Sequence, residues 1–178
     1  MHKLGLYIHW PYCISKCPYC DFNSHVLEKY DIEEWFRAYV NQIAYFKNFL
    51  ETQDYLDFEL HSIFFGGGTP SLMEVKLIDR ILSFIFKSFK VNSNTEITLE
   101  SNPTNLEVKK IKDFKSVGVN RISLGVQGLN DIDLKFLGGK DVSFVVKKAD
   151  ELFNESLEGK IHAHKLYSLL LEQILGYR

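Results

Sequence analysis

The sequence predicts an α/β fold assembled from parallel βα units, about four of them. Three observations lead there. Four short β-rich segments occur before Gln127, separated by stretches with helical periodicity. The second segment stops abruptly at three glycines and the third at Asn102-Pro103. The residues with the most chemical character fall at those stops, where parallel sheets and barrels gather their chemistry.

The first strand is expected over residues 4–10 (LGLYIHW), followed by a loop bearing all the cysteines. Helical character follows over 33–50, with Trp35, Phe36, Tyr39, Val40, Ile43 and Phe46 on one apolar stripe. The second strand, 58–65, runs into Gly66-Gly67-Gly68. Ser71 is placed to cap an amphipathic helix over 72–89. Residues 96–100 (EITLE) form the third strand, stopped by Asn102-Pro103, and Asn105 is placed to cap a helix to about Val117. Gly118 ends that helix and the fourth strand runs over 121–126. Beyond Asn130 the alternation ceases: 130–137, 142–153 and 166–175 read as helical, and no fifth strand is evident. Four units form half of a barrel or a small open sheet.

With 178 residues, 46% hydrophobic and 25% charged, the chain has the composition of a globular domain with a real core. A net charge of −2 without a basic block argues against nucleic acid as a partner. No apolar run reaches the length of a membrane span, and the N-terminus carries no small-residue cleavage site, so the expected location is the cytoplasm.

The three cysteines, Cys13, Cys17 and Cys20, lie within eight consecutive residues. An odd, clustered set does not resemble a disulfide framework; clustered thiols in a reducing compartment are more often metal ligands or redox groups. The spacing Cys-x3-Cys-x2-Cys lets three thiolates of one loop reach three corners of a [4Fe–4S] cubane. With no fourth cysteine in the chain, one iron stays open to the amino and carboxylate groups of S-adenosylmethionine (SAM). An electron entering the sulfonium then yields methionine and a 5′-deoxyadenosyl radical. Two alternatives stand beside this reading: a Cys3His zinc site recruiting His9, and a redox pair at Cys17-Pro-Tyr-Cys20.

The run Tyr7-x-His9-x-Pro11-x-Cys13-x3-Cys17-Pro18-Tyr19-Cys20 resembles the signature of the radical SAM superfamily, specifically its oxygen-independent coproporphyrinogen III oxidase group. Cys20-Asp21-Phe22 is similar to the HemW-like, haem-chaperone branch, whereas the oxidase branch has another cysteine where Phe22 stands. The resemblance covers roughly residues 3–140. It implies a partial radical-SAM (β/α) barrel, about four units of a (β/α)6-type half-open barrel, over residues 1–153, with a diverged or truncated helical tail over 154–178. It also implies a [4Fe–4S] cluster on Cys13, Cys17 and Cys20, with SAM beside Tyr7, Tyr19, Gly67, Gly68, Thr69, Glu100 and Gln127. Gly66-Gly67-Gly68-Thr69-Pro70 is similar to the family's glycine motif; no Lys-Ser/Thr pair follows, so it is not a P-loop. In Leu137-Gly138-Gly139-Lys140 the family has arginine at Gly139, and Lys140 is the nearest substitute for its charge. His162 and His164 receive no role. The implied function is haem chaperoning, with haem or porphyrin as ligand and a haem-acceptor protein as partner. Its rivals are oxidative decarboxylation of coproporphyrinogen III and an inactive fragment.

Overall fold

The structure is a computed structural model that describes residues 2–27, 29–53, 57–102, 108–125, 127–128, 130–137 and Lys147. Its centre is a parallel sheet of four strands, β1 (His2–Trp10), β4 (Phe58–Gly67), β5 (Lys90–Ser101) and β6 (Arg121–Leu124), in that spatial order. A helix occupies each crossover: α1 (Ile32–Thr52), α2 (Val75–Ser88) and α3 (Val108–Ser116). Parallel neighbours need such long connections, and sequential strands lie side by side. A two-residue ladder, β2 (Tyr12–Cys13) with β3 (His25–Val26), sits beyond β1, and α4 (Asp131–Phe136) follows β6.

Strand alternation sorts the side chains onto two faces. Ile8, Phe65, Leu99 and Ile122 pair across the sheet in one row and are all buried. They pack with Tyr39 and Ile43 of α1, Leu77, Ile78, Ile81, Leu82 and Ile85 of α2, and Ile111 and Phe114 of α3. Each such side chain contributes about 1.5–3 kcal/mol through burial. One residue earlier, the row Tyr7, Phe64, Thr98 and Arg121 points to the opposite face. That face is polar: Arg121 Nη1 donates to Glu96 Oε1 at 3.0 Å and to Thr98 Oγ1 at 3.1 Å.

Local chemistry explains most element boundaries. Asp31 caps α1, its carboxylate accepting from the amides of Glu33 at 2.7 Å and Glu34 at 3.2 Å. Tyr39 Oη donates to the His9 carbonyl at 2.7 Å, fastening α1 to the end of β1, and burial raises that phenol's pKa. Arg80 of α2 forks onto Glu33 and lies 4.0 Å above the Phe36 ring, joining the two helices. Gly118 ends the α3 region with φ of +112°, a conformation glycine adopts at no steric cost. Asn130 caps α4 by accepting from the Asp133 amide at 2.8 Å.

The four parallel βα units match the sequence expectation, with two differences of detail. Ser71 does not cap α2. It lies in a 3-10 turn, Pro70–Leu72, and α2 begins one turn later with Glu74 at the N-cap position. Proline suits the first position of that turn, and the extended backbone of Met73 and Glu74 separates it from α2. β5 is also longer than expected. Its pairing with β4 is interrupted between Val91 and Glu96, where Asn94 N donates to Asn92 Oδ1 at 2.7 Å. That local turn masks the strand pattern. Asn105, Gly139, Lys140, His162, His164 and the helices expected over 142–153 and 166–175 lie outside the described residues, apart from helical Lys147.

Candidate functional site

Four strand ends converge on one edge of the sheet. β1 leads through Pro11 to the cysteines, β4 ends in the glycines, β5 delivers Glu100, Ser101 and Asn102, and β6 leads to Gly125 and Gln127.

The cysteine segment is held at both ends. Cys13 belongs to the small ladder: the His25 amide donates to the Pro11 carbonyl at 2.8 Å and the Leu27 amide to the Cys13 carbonyl at 2.8 Å. Cys17 to Cys20 is a turn, closed by the Cys20 amide donating to the Cys17 carbonyl at 3.1 Å, with Pro18 inside it. The two-residue gap therefore brings Cys17 and Cys20 to adjacent positions. All three thiols are free and half-buried. Tyr19, 45% exposed, sits among them; its phenol is pushed up to about 12, first by burial and then by interaction with Cys17, Cys20 and Cys13. Among the described residues, no three His, Cys, Asp or Glu side chains converge as a metal-binding set, and His9 joins no such group. The donor chemistry nonetheless suits an iron–sulfur cluster: three accessible soft thiols on one segment, two of them across a tight turn, with no fourth cysteine.

The glycines are bare because the chain itself lies against them. A Cβ on Gly66 would stand 2.7 Å from Tyr7 Cε2 and 2.9 Å from Tyr7 Oη. At Gly67, with φ of +117°, it would meet His9 Nδ1 at 2.6 Å and the Trp10 carbonyl oxygen at 2.7 Å. At Gly68 it would meet the Tyr12 carbonyl oxygen at 2.5 Å. The backbone then stitches the two segments together: the Gly68 amide donates to Trp10 O at 2.6 Å and the Thr69 amide to Tyr12 O at 2.8 Å. The atoms nearest these three positions belong to residues 7–12 and to Phe64. Only Gly67 of the three uses positive φ.

Glu100 faces this junction from β5. Its Oε2 accepts from the Gly67 amide at 3.1 Å. Burial raises its pKa, and that amide partly offsets the shift. Tyr7 is 57% exposed, stacks on Phe64 at 6.0 Å between centroids, and has its own pKa raised by burial and then by Glu100. Gln127 is exposed at the end of β6; a Cβ on Gly125 would lie 3.0 Å from Gln127 Nε2 and 2.9 Å from Asn102 Oδ1. Thr69 is 2% exposed, and its hydroxyl contacts both Cys13 Sγ, at 3.5 Å, and Asn102 Nδ2, at 3.4 Å. Asn102, read in the sequence only as a strand terminator, thus belongs to the same network. A polar residue directly beyond a barrel-type strand was the available signal.

A sheet edge of this kind, fed by βα loops and bearing a three-cysteine segment after its first strand, defines a class. The chain belongs to the Radical SAM superfamily, whose family model matches residues 7–165. It is 44% identical over 141 residues to the heme chaperone HemW of Haemophilus influenzae, covering 76% of this chain and 35% of that protein. It is 31% identical over 180 residues to the mitochondrial radical S-adenosyl methionine domain-containing protein 1 of Bos taurus, covering 97% of this chain and 38% of that one. The chain therefore spans little more than a third of these curated relatives. Among solved structures, coproporphyrinogen III oxidase (HemN) from Escherichia coli, described as a radical SAM enzyme, aligns with a TM-score of 0.71 at 23% identity, over 86% of this chain and 35% of that one. That likeness establishes the fold.

Proposed function

We propose that this chain works as a HemW-like haem-handling protein, in which Cys13, Cys17 and Cys20 would hold a [4Fe–4S] cluster beside a bound SAM. The observation that supports it best is the meeting of the free cysteines, the Gly66–Gly68 backbone and Glu100 at one edge. When bound, the cluster and SAM together supply one-electron reductive cleavage of a sulfonium. The chain's residues do the rest. Glu100, half-buried at the Gly67 amide, offers a carboxylate to a cationic ammonium, whose charge would offset the desolvation of the acid. Tyr7 and Tyr19 wall the site with aromatic surface, and Gln127 offers both donor and acceptor at its rim. Gly67 and Gly68 keep the backbone close to the cysteine segment, and Thr69 contacts Cys13 directly.

Haem or porphyrin is the molecule handled under this reading, and a haem-acceptor protein is the partner. The relatives named heme chaperone support that choice. Phe22, standing where the oxidase branch has a cysteine, supports it over porphyrinogen decarboxylation. We assign residues 1–153 to the core unit and 154–178 to a tail. We place the protein in the cytoplasm, a reducing compartment that would keep its three clustered thiols free; no helix among the described residues is long and apolar enough to cross a membrane. The test is anaerobic incubation of the reconstituted protein with reductant, SAM and either haem or coproporphyrinogen III. Formation of 5′-deoxyadenosine with a haem Soret shift, and no decarboxylated porphyrin, is the expected result. Decarboxylated porphyrin would establish the oxidase instead, and absence of both deoxyadenosine and haem binding would refute the reading.

A further inference from the structure

The geometry points to a side-chain relay, Asn102 to Thr69 to Cys13, that tunes the cysteine sulfur from behind; this rests on the reading of Cys13 as a cluster ligand. Thr69 occupies the N-cap position of the Pro70–Leu72 turn, where a threonine hydroxyl ordinarily caps. It makes no capping bond here. The side chain is 2% exposed, so its hydroxyl must find partners inside the protein. Those partners are Cys13 Sγ, to which Thr69 Oγ1 donates at 3.5 Å, and Asn102 Nδ2, from which it accepts at 3.4 Å.

The direction of the relay follows from counting protons. A hydroxyl has one proton and two lone pairs, and an amide nitrogen only donates. Asn102 therefore occupies a lone pair of Thr69 and leaves its single proton for the sulfur. A deprotonated Cys13 can only accept, so ligation strengthens the same arrangement. Both ends of the contact are fixed. The Thr69 amide is bound to Tyr12 O, one residue before Cys13, and Gly68 is bound to Trp10 O. The backbone carbonyl of Asn102 accepts from Ser101 Oγ at 3.1 Å, and its side-chain Oδ1 lies over the bare Cα of Gly125. The family resemblance implies a SAM contact for Thr69; its hydroxyl on the Cys13 sulfur gives it a positioning role as well, acting through Cys13.

A hydrogen bond to a ligand sulfur draws electron density from it and favours the more negative, reduced cluster. The experiment is a redox titration of the anaerobically reconstituted chain, without SAM, followed by visible absorbance and EPR. Thr69→Val should shift the titration to more negative potential, with the reduced-to-oxidised ratio at fixed potential falling about tenfold, about 59 mV for one electron. Thr69→Ser, which keeps the hydroxyl, should titrate close to wild type. Asn102→Leu, which frees the hydroxyl to rotate, should shift in the same direction by less. A cluster-bearing Thr69→Val with a wild-type potential overturns the relay, as does Thr69→Ser shifting as far as Thr69→Val. If Thr69→Val does not load iron, Asn102→Leu decides: a negative shift supports the relay and an unchanged potential ends it. Wild-type protein that takes up no iron refutes the reading of Cys13 itself, so the two failures are told apart by the wild-type arm.

Discussion

Replacing Gly67 by alanine should be far more damaging than replacing Gly118, although both residues have nearly the same backbone conformation. Their φ values are +117° and +112°. An L-residue forced into that region costs about 1–3 kcal/mol, and this term is common to both variants. The surroundings differ. The nearest atom to a Cβ on Gly118 is Phe86 Cζ at 3.7 Å, ordinary contact distance. On Gly67 the new carbon would stand 2.6 Å from His9 Nδ1 and 2.7 Å from the Trp10 carbonyl oxygen. The His9 ring is able to turn aside, but the carbonyl belongs to β1 and accepts the Gly68 amide. Overpacking of this kind adds about 1–3 kcal/mol. At about 2–4 °C per kcal/mol for a chain of this size, Gly67→Ala should melt about 2–12 °C below Gly118→Ala. Thermal unfolding followed by circular dichroism measures the difference. Equal melting temperatures would refute the argument that the glycine segment is bare because β1 and its following loop press against it.

Three further outcomes follow from the same structure. Phe65→Ala, at a fully buried position in the central row of the sheet, should lose about 3–5 kcal/mol in urea unfolding. Asp31→Ala, which strips two amides at the start of α1 of their acceptor, should lose about 1 kcal/mol, with Asp31→Asn retaining most of it. Glu100 should make stability depend on pH in the opposite sense to a salt-bridged acid. Its folded pKa is raised, first by burial, so the folded chain holds that proton more tightly than the unfolded one. Stability contributed by the protonated acid is complete below the ordinary carboxylate range and is lost as pH rises through the folded value. Glu100→Gln, measured without ligand, should therefore be more stable than wild type at pH 7, with the gap closing toward pH 4. A gap that widens on acidification would contradict the burial argument.

The sheet was legible in the sequence because its signals are local. Apolar runs ending at Trp10, Gly66 and Asn102 mark the ends of β1, β4 and β5 within a residue or two, and Gly118 marks the turn into β6. The position of the candidate residues followed from those strand ends, since every βα loop emerges on one side. Other features depend on pairings distant in sequence. The Tyr12–Cys13 ladder with His25–Val26 comprises only two residue pairs, too few to leave a periodic pattern. Ser71 carries a capping residue type, yet it lies in the Pro70–Leu72 3-10 turn; Met73 and Glu74 are extended, and α2 begins at Val75. The bareness of Gly66 and Gly68 comes from Tyr7 and Tyr12, and the partners of Thr69 lie 56 and 33 positions away along the chain, at Cys13 and Asn102. Spacing identified the cysteines, while tertiary contact alone revealed what stands behind them.

Whether the segment 13–20 holds an iron–sulfur cluster with three thiolates is decided by metal analysis after anaerobic reconstitution with iron and sulfide. About four irons per chain are expected, with a broad visible absorbance that disappears on oxidation by air and with loss of both in Cys13→Ala, Cys17→Ala and Cys20→Ala. Stoichiometric zinc with no iron, or iron retained at full occupancy after any of these substitutions, would contradict three-thiolate ligation.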